Sequence, residues 1–206
     1  MARTKTIDIL LIRSGPTEWD RQGRLGGSAD LPLCACGEVA CEDIFRAMSR
    51  KPVRIVTGPD EASVKVGKIA GKALGCHSRP EKALGEVGLG LWQGMTTTEL
   101  EHRYKSSFSQ WKNDPASIVP SEGEPLADSE HRLLAAVARL MARTKSGECL
   151  GLVLRPIARG IVKTRLAGRP ITELWKEVET ETATELIQVS GDKLSAYRPA
   201  IVRAFL

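Results

Sequence analysis

The sequence predicts an α/β protein, a three-layer sandwich with a mostly parallel sheet flanked by helices. Three observations carry that reading. Short apolar, β-branched-rich runs recur along the chain. Segments with helical spacing of apolar residues separate them. Each run ends in a polar, Gly- or Pro-containing loop. Strands alternating with helices favour a parallel sheet covered on both faces.

The first run, Ile7 to Ile12, ends in Arg13-Ser14-Gly15-Pro16 and reads as a buried strand feeding a loop. From Gly37 to Met48, apolar residues at Val39, Ala40, Ile44 and Ala47 predict a helix. Val53 to Val56 is the second strand, closed by Thr57-Gly58-Pro59. Pro59 with Asp60 and Glu61 marks a helix start, since proline suits the first turn and acids suit the positive end of the dipole. Gly75 stops that helix.

Asp128 to Thr144 is the clearest helix, with Leu133, Leu134, Val137, Leu140 and Met141 on one stripe. Cys149 to Leu154 is the third strand, followed by Arg155-Pro156 and a helical stretch to Leu166. Glu185 to Val189 is the fourth strand, and Ser117 to Pro125 a surface loop. In such sheets ligands sit beyond the carboxyl ends of the strands. Those ends are Arg13-Ser14, Thr57-Gly58 and Arg155-Pro156.

The bulk numbers narrow the function classes. With 206 residues, one domain spanning 1–206 with a sizeable core is expected. The formal net charge of +5 is spread among acids along the chain, which argues against nucleic acid as a partner and is compatible with a small anionic ligand. No apolar run reaches bilayer length and no secretory leader is read at the amino terminus, so a cytoplasmic protein is expected. A homo-oligomer is compatible with all of this. The five cysteines are expected as reduced thiols. Cys34-Ala-Cys36 with Cys41 lacks a second ligand pair, so no metal site is expected.

The strand ends carry a resemblance. Leu11-Ile-Arg13-Ser14-Gly15-Pro16-Thr17-Glu18-Trp19-Asp20 resembles the histidine-phosphatase signature L-V/I-R-H-G-x-T-x-W-N. Gly23-Arg24, Gly27, Asp30, Pro32, Leu33 and Gly37 continue it in order. Leu84-Gly-Glu86-Val-Gly-Leu-Gly90-Leu-Trp92-Gln-Gly94 is similar to L-x-E-x-x-x-G-x-W-E-G. Phe108-Ser-Gln-Trp111 and Gly123-Glu124-Pro125-Leu-Ala-Asp128 are similar to F-x-x-W and G-E-S-x-x-D. The chain thus resembles the histidine phosphatase superfamily, cofactor-independent phosphoglycerate mutases included, from about Ile7 to Gly168.

The resemblance implies no cofactor and a histidine nucleophile that becomes phosphohistidine. Imidazole suits that role because it is nucleophilic when neutral and leaves readily when protonated. The nucleophile position is Ser14, the family's helix arginine falls at Ala62, and its second histidine falls at Arg155. Arg13 and the proton-donor position Glu86 are retained. The implied protein is a homologue inactive by the family mechanism, with a residual anion pocket at Arg13, Ser14, Arg24 and Arg155. The alternative is a residual or altered phosphomonoester hydrolase using Glu86 or Ser14. A third reading is a structural partner in an assembly. For Arg155 two roles stay open: gripping an anion, or pairing with Glu86 or turning to solvent in a decayed site. His102 and His131 read as helix-surface residues, Trp19 and Trp92 as loop packing, and Trp111 and Trp175 as core or interface.

Overall fold

The computed structural model describes residues 5–180 and 182–197. Its centre is a five-stranded sheet in the order β3-β2-β4-β1-β5, with β1 Thr6–Arg13, β2 Arg54–Thr57, β3 Ser78–Pro80, β4 Cys149–Leu154 and β5 Thr184–Ser190. The first four strands run parallel; β5 lies antiparallel along β1. The mostly parallel expectation therefore holds for four strands, and the last closes one edge in the opposite sense. The short strand β3 has no apolar signature, since Ser78-Arg79-Pro80 is exposed or half-buried. Only its pairing with Ile55 to Thr57 makes it a strand.

The described residues form eight α-helices: α1 Glu18–Arg21, α2 Ala35–Arg46, α3 Glu61–Leu74, α4 Thr97–Arg103, α5 Lys105–Asn113, α6 Leu126–Ala142, α7 Pro156–Leu166 and α8 Leu174–Val178. The central strands bury both faces, as continuous apolar runs require. Ile7, Ile9 and Leu11 of β1 join Leu150, Leu152 and Leu154 of β4 against α6 and α7. The intervening Leu10, Ile12, Ile55 and Val153 pack against Phe45 of α2 and Val66, Ala70 and Leu74 of α3. This two-sided division follows from the period of two along each strand.

Caps set the helix limits. Asp60 Oδ1 accepts from Ser63 N at 2.9 Å and starts α3, and Gly75 ends it in the left-handed region at φ 71°. The fold's edge is braced by charge: Lys163 of α7 pairs with Glu177 of α8 at 2.6 Å and with Glu185 of β5 at 2.7 Å. Buried Arg159 also reaches Glu185, at 3.4 Å.

One expectation about the cysteines is corrected. Cys34 and Cys36 are joined in a disulfide, while Cys41, Cys76 and Cys149 are free. The physical reason is local: Cys34 caps α2, and the turn brings the two Cα atoms to 5.5 Å, within disulfide reach. Among the described residues no cluster of potential ligands could hold a metal ion, and no helix is long and apolar enough to cross a membrane.

Candidate active-site cleft

Strand register brings three distant loops level. Arg13 is opposite Leu154, and Thr57 opposite Val153. Beyond these pairs the loops stay zipped: Ser14 N donates to Leu154 O at 2.8 Å and Gly58 N to Val153 O at 2.9 Å. Above them lies a cleft of about 360 Å³ whose lining includes Arg13, Asp20, Arg24, Glu86 and Arg155. A second cavity of about 340 Å³ lies towards α2 and is lined by Ser14 and Cys41 as well as Arg13, Asp20 and Arg155. Arg155 stands at both.

Arg155 is only 4% exposed, and its Nη1 donates to Asp20 Oδ2 at 3.3 Å. Asp20 is fixed in turn, because the same oxygen accepts from Thr17 N at 2.7 Å and Thr17 Oγ1 at 2.6 Å in the cap of α1. A Cβ on Gly26 would collide with Arg155 Nη2, so the missing side chain there makes room for the guanidinium. Arg155 neither pairs directly with a Glu86 oxygen nor turns to solvent. Its Nε has no hydrogen-bond partner among the described residues.

Glu86 is buried and committed to a helix. Its Oε2 accepts from Ile157 N at 2.8 Å and its Oε1 from Ala158 N at 2.7 Å, at the start of α7, and Oε1 also accepts from Val87 N at 2.8 Å. Arg155, the residue preceding α7, makes no side-chain cap of its own. Burial pushes the Glu86 carboxyl up to about 7, against the pull of the three N–H donors and of the Arg155 charge. The loop carrying Glu86 is pinned by Arg132 of α6. That side chain donates to Ala83 O and Gly85 O at 3.0 Å and grips Glu124 through two bonds of 3.0 and 2.8 Å. Sequence reading missed Arg132, since it sits unmarked on a helix; the only hint is Glu124 within its motif.

Of the remaining expected site residues, Arg13 and Arg24 line the cleft, Ser14 lines the second cavity and Ala62 lines neither. Arg13 Nη1 donates to Val178 O at 3.2 Å and Thr180 O at 3.0 Å. Arg24 Nη1 donates to Gly94 O at 2.5 Å, and Arg24 also lies 3.7 Å from Glu99. Ser14 is 5% exposed, and its hydroxyl has no hydrogen-bond partner among the described residues. Ala62 is fully buried in the first turn of α3 and lines neither cavity. His77, His102 and His131 all lie on the surface. Trp92 and Trp111 are buried; Trp175 is partly so, and both Trp111 and Trp175 also line the cleft.

Both helix starts beside the site already hold carboxylates. Glu86 occupies α7, while Asp60 and Asp30 occupy α3, the latter accepting from Glu61 N at 2.7 Å. A ligand anion would therefore meet arginine side chains and not free helix N–H groups.

Parallel strands with a cleft at the ends of β1 and β4 define the class, an α/β protein with its candidate site at the carboxyl edge of the sheet. Within that class the chain belongs to the histidine phosphatase superfamily (branch 1), whose family model matches residues 9–199. Among relatives, it is 23% identical over 170 residues to phosphoserine phosphatase 1 of Hydrogenobacter thermophilus, covering 82% of this chain and 80% of that protein. It is 26% identical over 173 residues to the probable phosphoglycerate mutase GpmB of Klebsiella pneumoniae, covering 80% and 76%. The fold matches a mycobacterial glucosyl-3-phosphoglycerate phosphatase complexed with VO3, with a TM-score of 0.77 at 23% identity over 89% of this chain and 90% of that one. YhfR of Bacillus stearothermophilus matches with a TM-score of 0.75 at 24% identity, covering 82% and 84%.

Proposed function

We propose that this protein is a non-catalytic member of its superfamily that holds a small anion in the strand-end cleft. The reading rests on the side chains at the three positions that the motif resemblance assigns to the catalytic set, Ser14, Ala62 and Arg155, and the observation that supports it is that all three histidines lie on the surface. Serine attack needs a general base within hydrogen-bond reach, and the Ser14 hydroxyl has no hydrogen-bond partner among the described residues. Loss of a general acid or base alone costs about 10²–10⁴ in rate, and here the nucleophile goes as well. Arg155 supports anion binding because a buried guanidinium with an unsatisfied N–H gains from a charge-assisted bond. Relatives named for phosphoserine and glucosyl-3-phosphoglycerate make phosphate the anion to test first.

Purified protein should hydrolyse para-nitrophenyl phosphate no faster than background and form no phosphoenzyme. Millimolar phosphate should raise its melting temperature, since a ligand that binds only the native state stabilises it. Arg155→Ala should weaken that response by about 1.5–3 kcal/mol. No response in either protein would refute anion retention.

One observation favours a second reading, a residual phosphomonoester hydrolase. A carboxyl lifted to about 7 is poised for proton transfer near neutrality. Water would attack phosphorus, the ester P–O bond would break, and the Glu86 proton would pass to the leaving oxygen. Turnover that follows the purified protein and disappears in a folded Glu86→Gln variant would establish that reading over the first. Loss with Ser14→Ala instead would make Ser14 the nucleophile.

A further inference from the structure

The cleft above Arg13, Arg24 and Arg155 has an aromatic wall. The chain holds only nine aromatic residues, four Trp, two Tyr and three Phe. Five of them gather here: Trp92, Tyr104, Phe108, Trp111 and Trp175. The Trp92 ring meets Trp111 edge-on at 5.5 Å, and Trp111 meets Trp175 at 4.2 Å. Trp92 and Tyr104 form the back of the cluster, while Phe108, Trp111 and Trp175 line the cleft itself. Phe108 and Trp111 are buried, whereas Trp175 is left partly open.

Trp175 is also held in place. Its Nε1 donates to Trp111 O at 3.0 Å. It sits one turn before Val178, whose carbonyl accepts from Arg13, so α8 ties ring and cation together. Lys112 adds a cation at the wall, 4.9 Å from the centre of the Phe108 ring and paired with Glu101 at 2.9 Å. Three carboxylates face the same space. Asp20 is tied to Thr17 and Arg155, Glu86 is tied to α7, and Glu179 lies exposed at the end of α8. Of the cations around this apolar wall, Arg155 is paired with Asp20, Arg24 lies 3.7 Å from Glu99 and Lys112 is paired with Glu101, while Arg13 is bonded to the carbonyls of Val178 and Thr180.

We propose that the cleft takes a single aromatic ring bearing an oxyanion, with the ring against Trp175 and the oxyanion towards Arg13, Arg24 and Arg155. This rests on the anion-binding reading above and adds the ligand class. A space of about 360 Å³ lies at the small end of ligand sites and is ample for one ring with its charged group. Aromatic pairs are worth enough beyond area burial to separate a ring-bearing anion from a bare one by about tenfold.

Calorimetric titration of the full chain with phenylphosphonate and methylphosphonate isolates the ring, because the head group is shared and neither is a phosphate ester. Benzoate tests a carboxylate head, and benzyl alcohol the ring without charge. Phenylphosphonate should bind about tenfold tighter than methylphosphonate, and benzyl alcohol should bind more weakly than either anion with a ring. Trp175→Phe should keep the preference, and a folded Trp175→Leu should bring it towards parity. Equal binding of the two phosphonates by the wild-type protein would overturn the ligand class and leave anion binding standing. Binding of neither phosphonate, with no response to phosphate, would bring down both. A preference that survives in folded Trp175→Leu would overturn the assignment of the ring to that side chain.

Discussion

The helices after β2 and β4 both begin at the carboxyl edge of the sheet with backbone N–H groups to satisfy, and they do so by different routes. For α3 the main cap is adjacent in sequence: Asp60 accepts from Ser63 N, with Asp30 added from a nearby loop. For α7 the preceding residue is Arg155, which makes no cap. Glu86, on a different loop, supplies both oxygens to Ile157 N and Ala158 N. The first start combines the adjacent, half-exposed Asp60 with the exposed Asp30; the second depends wholly on a remote, buried acid. A helix start closed by a remote buried acid links two loops of the site into one unit, which a local cap cannot do.

The largest effect expected from this difference is on stability. Glu86→Ala would orphan two buried N–H groups of α7 and that of Val87, at about 1–3 kcal/mol for each group that water cannot reach. A loss of about 4 kcal/mol in urea unfolding is expected. A loss below 1 kcal/mol would mean that α7 does not depend on its remote cap.

A smaller effect is expected from pH. The folded Glu86 carboxyl lies near 7 against an ordinary 4.5, so the folded state binds this proton more tightly than the unfolded state does. Its contribution is therefore most favourable below about pH 4.5, declines as pH rises to about 7 and is level above that. The decline amounts to no more than about 3 kcal/mol. Because other groups titrate too, the difference between wild type and Glu86→Gln is the quantity to follow. A difference that stays flat from pH 4.5 to 7 would refute the raised value.

The smallest effect belongs to the local cap. Asp60→Ala should cost about 1 kcal/mol, within the usual range for an N-cap. Asp60→Asn should recover most of it, as an amide oxygen can still accept from Ser63 N. If Asp60→Ala cost as much as Glu86→Ala, the contrast between the two starts would disappear.

By itself the sequence determined the layers. Continuous apolar runs specified β1, β2 and β4 as buried strands, the stripe on α6 specified its inward face, and Asp60 and Gly75 marked the ends of α3. Ordered motifs also placed Arg13, Arg24, Glu86 and Arg155 at one site. These signals are legible because periodicity, capping and motif spacing act between residues close in the chain. Tertiary structure alone decided the rest. It set β5 antiparallel, made a strand of Ser78–Pro80, turned Arg155 towards Asp20 and used Arg132 to pin the Glu86 loop. It also gave Glu86 to α7 and brought Trp175 to the same cleft as the arginines. Each of those depends on groups far apart in sequence satisfying buried charge, N–H or ring surface, and such needs exist only once the sheet has placed them side by side.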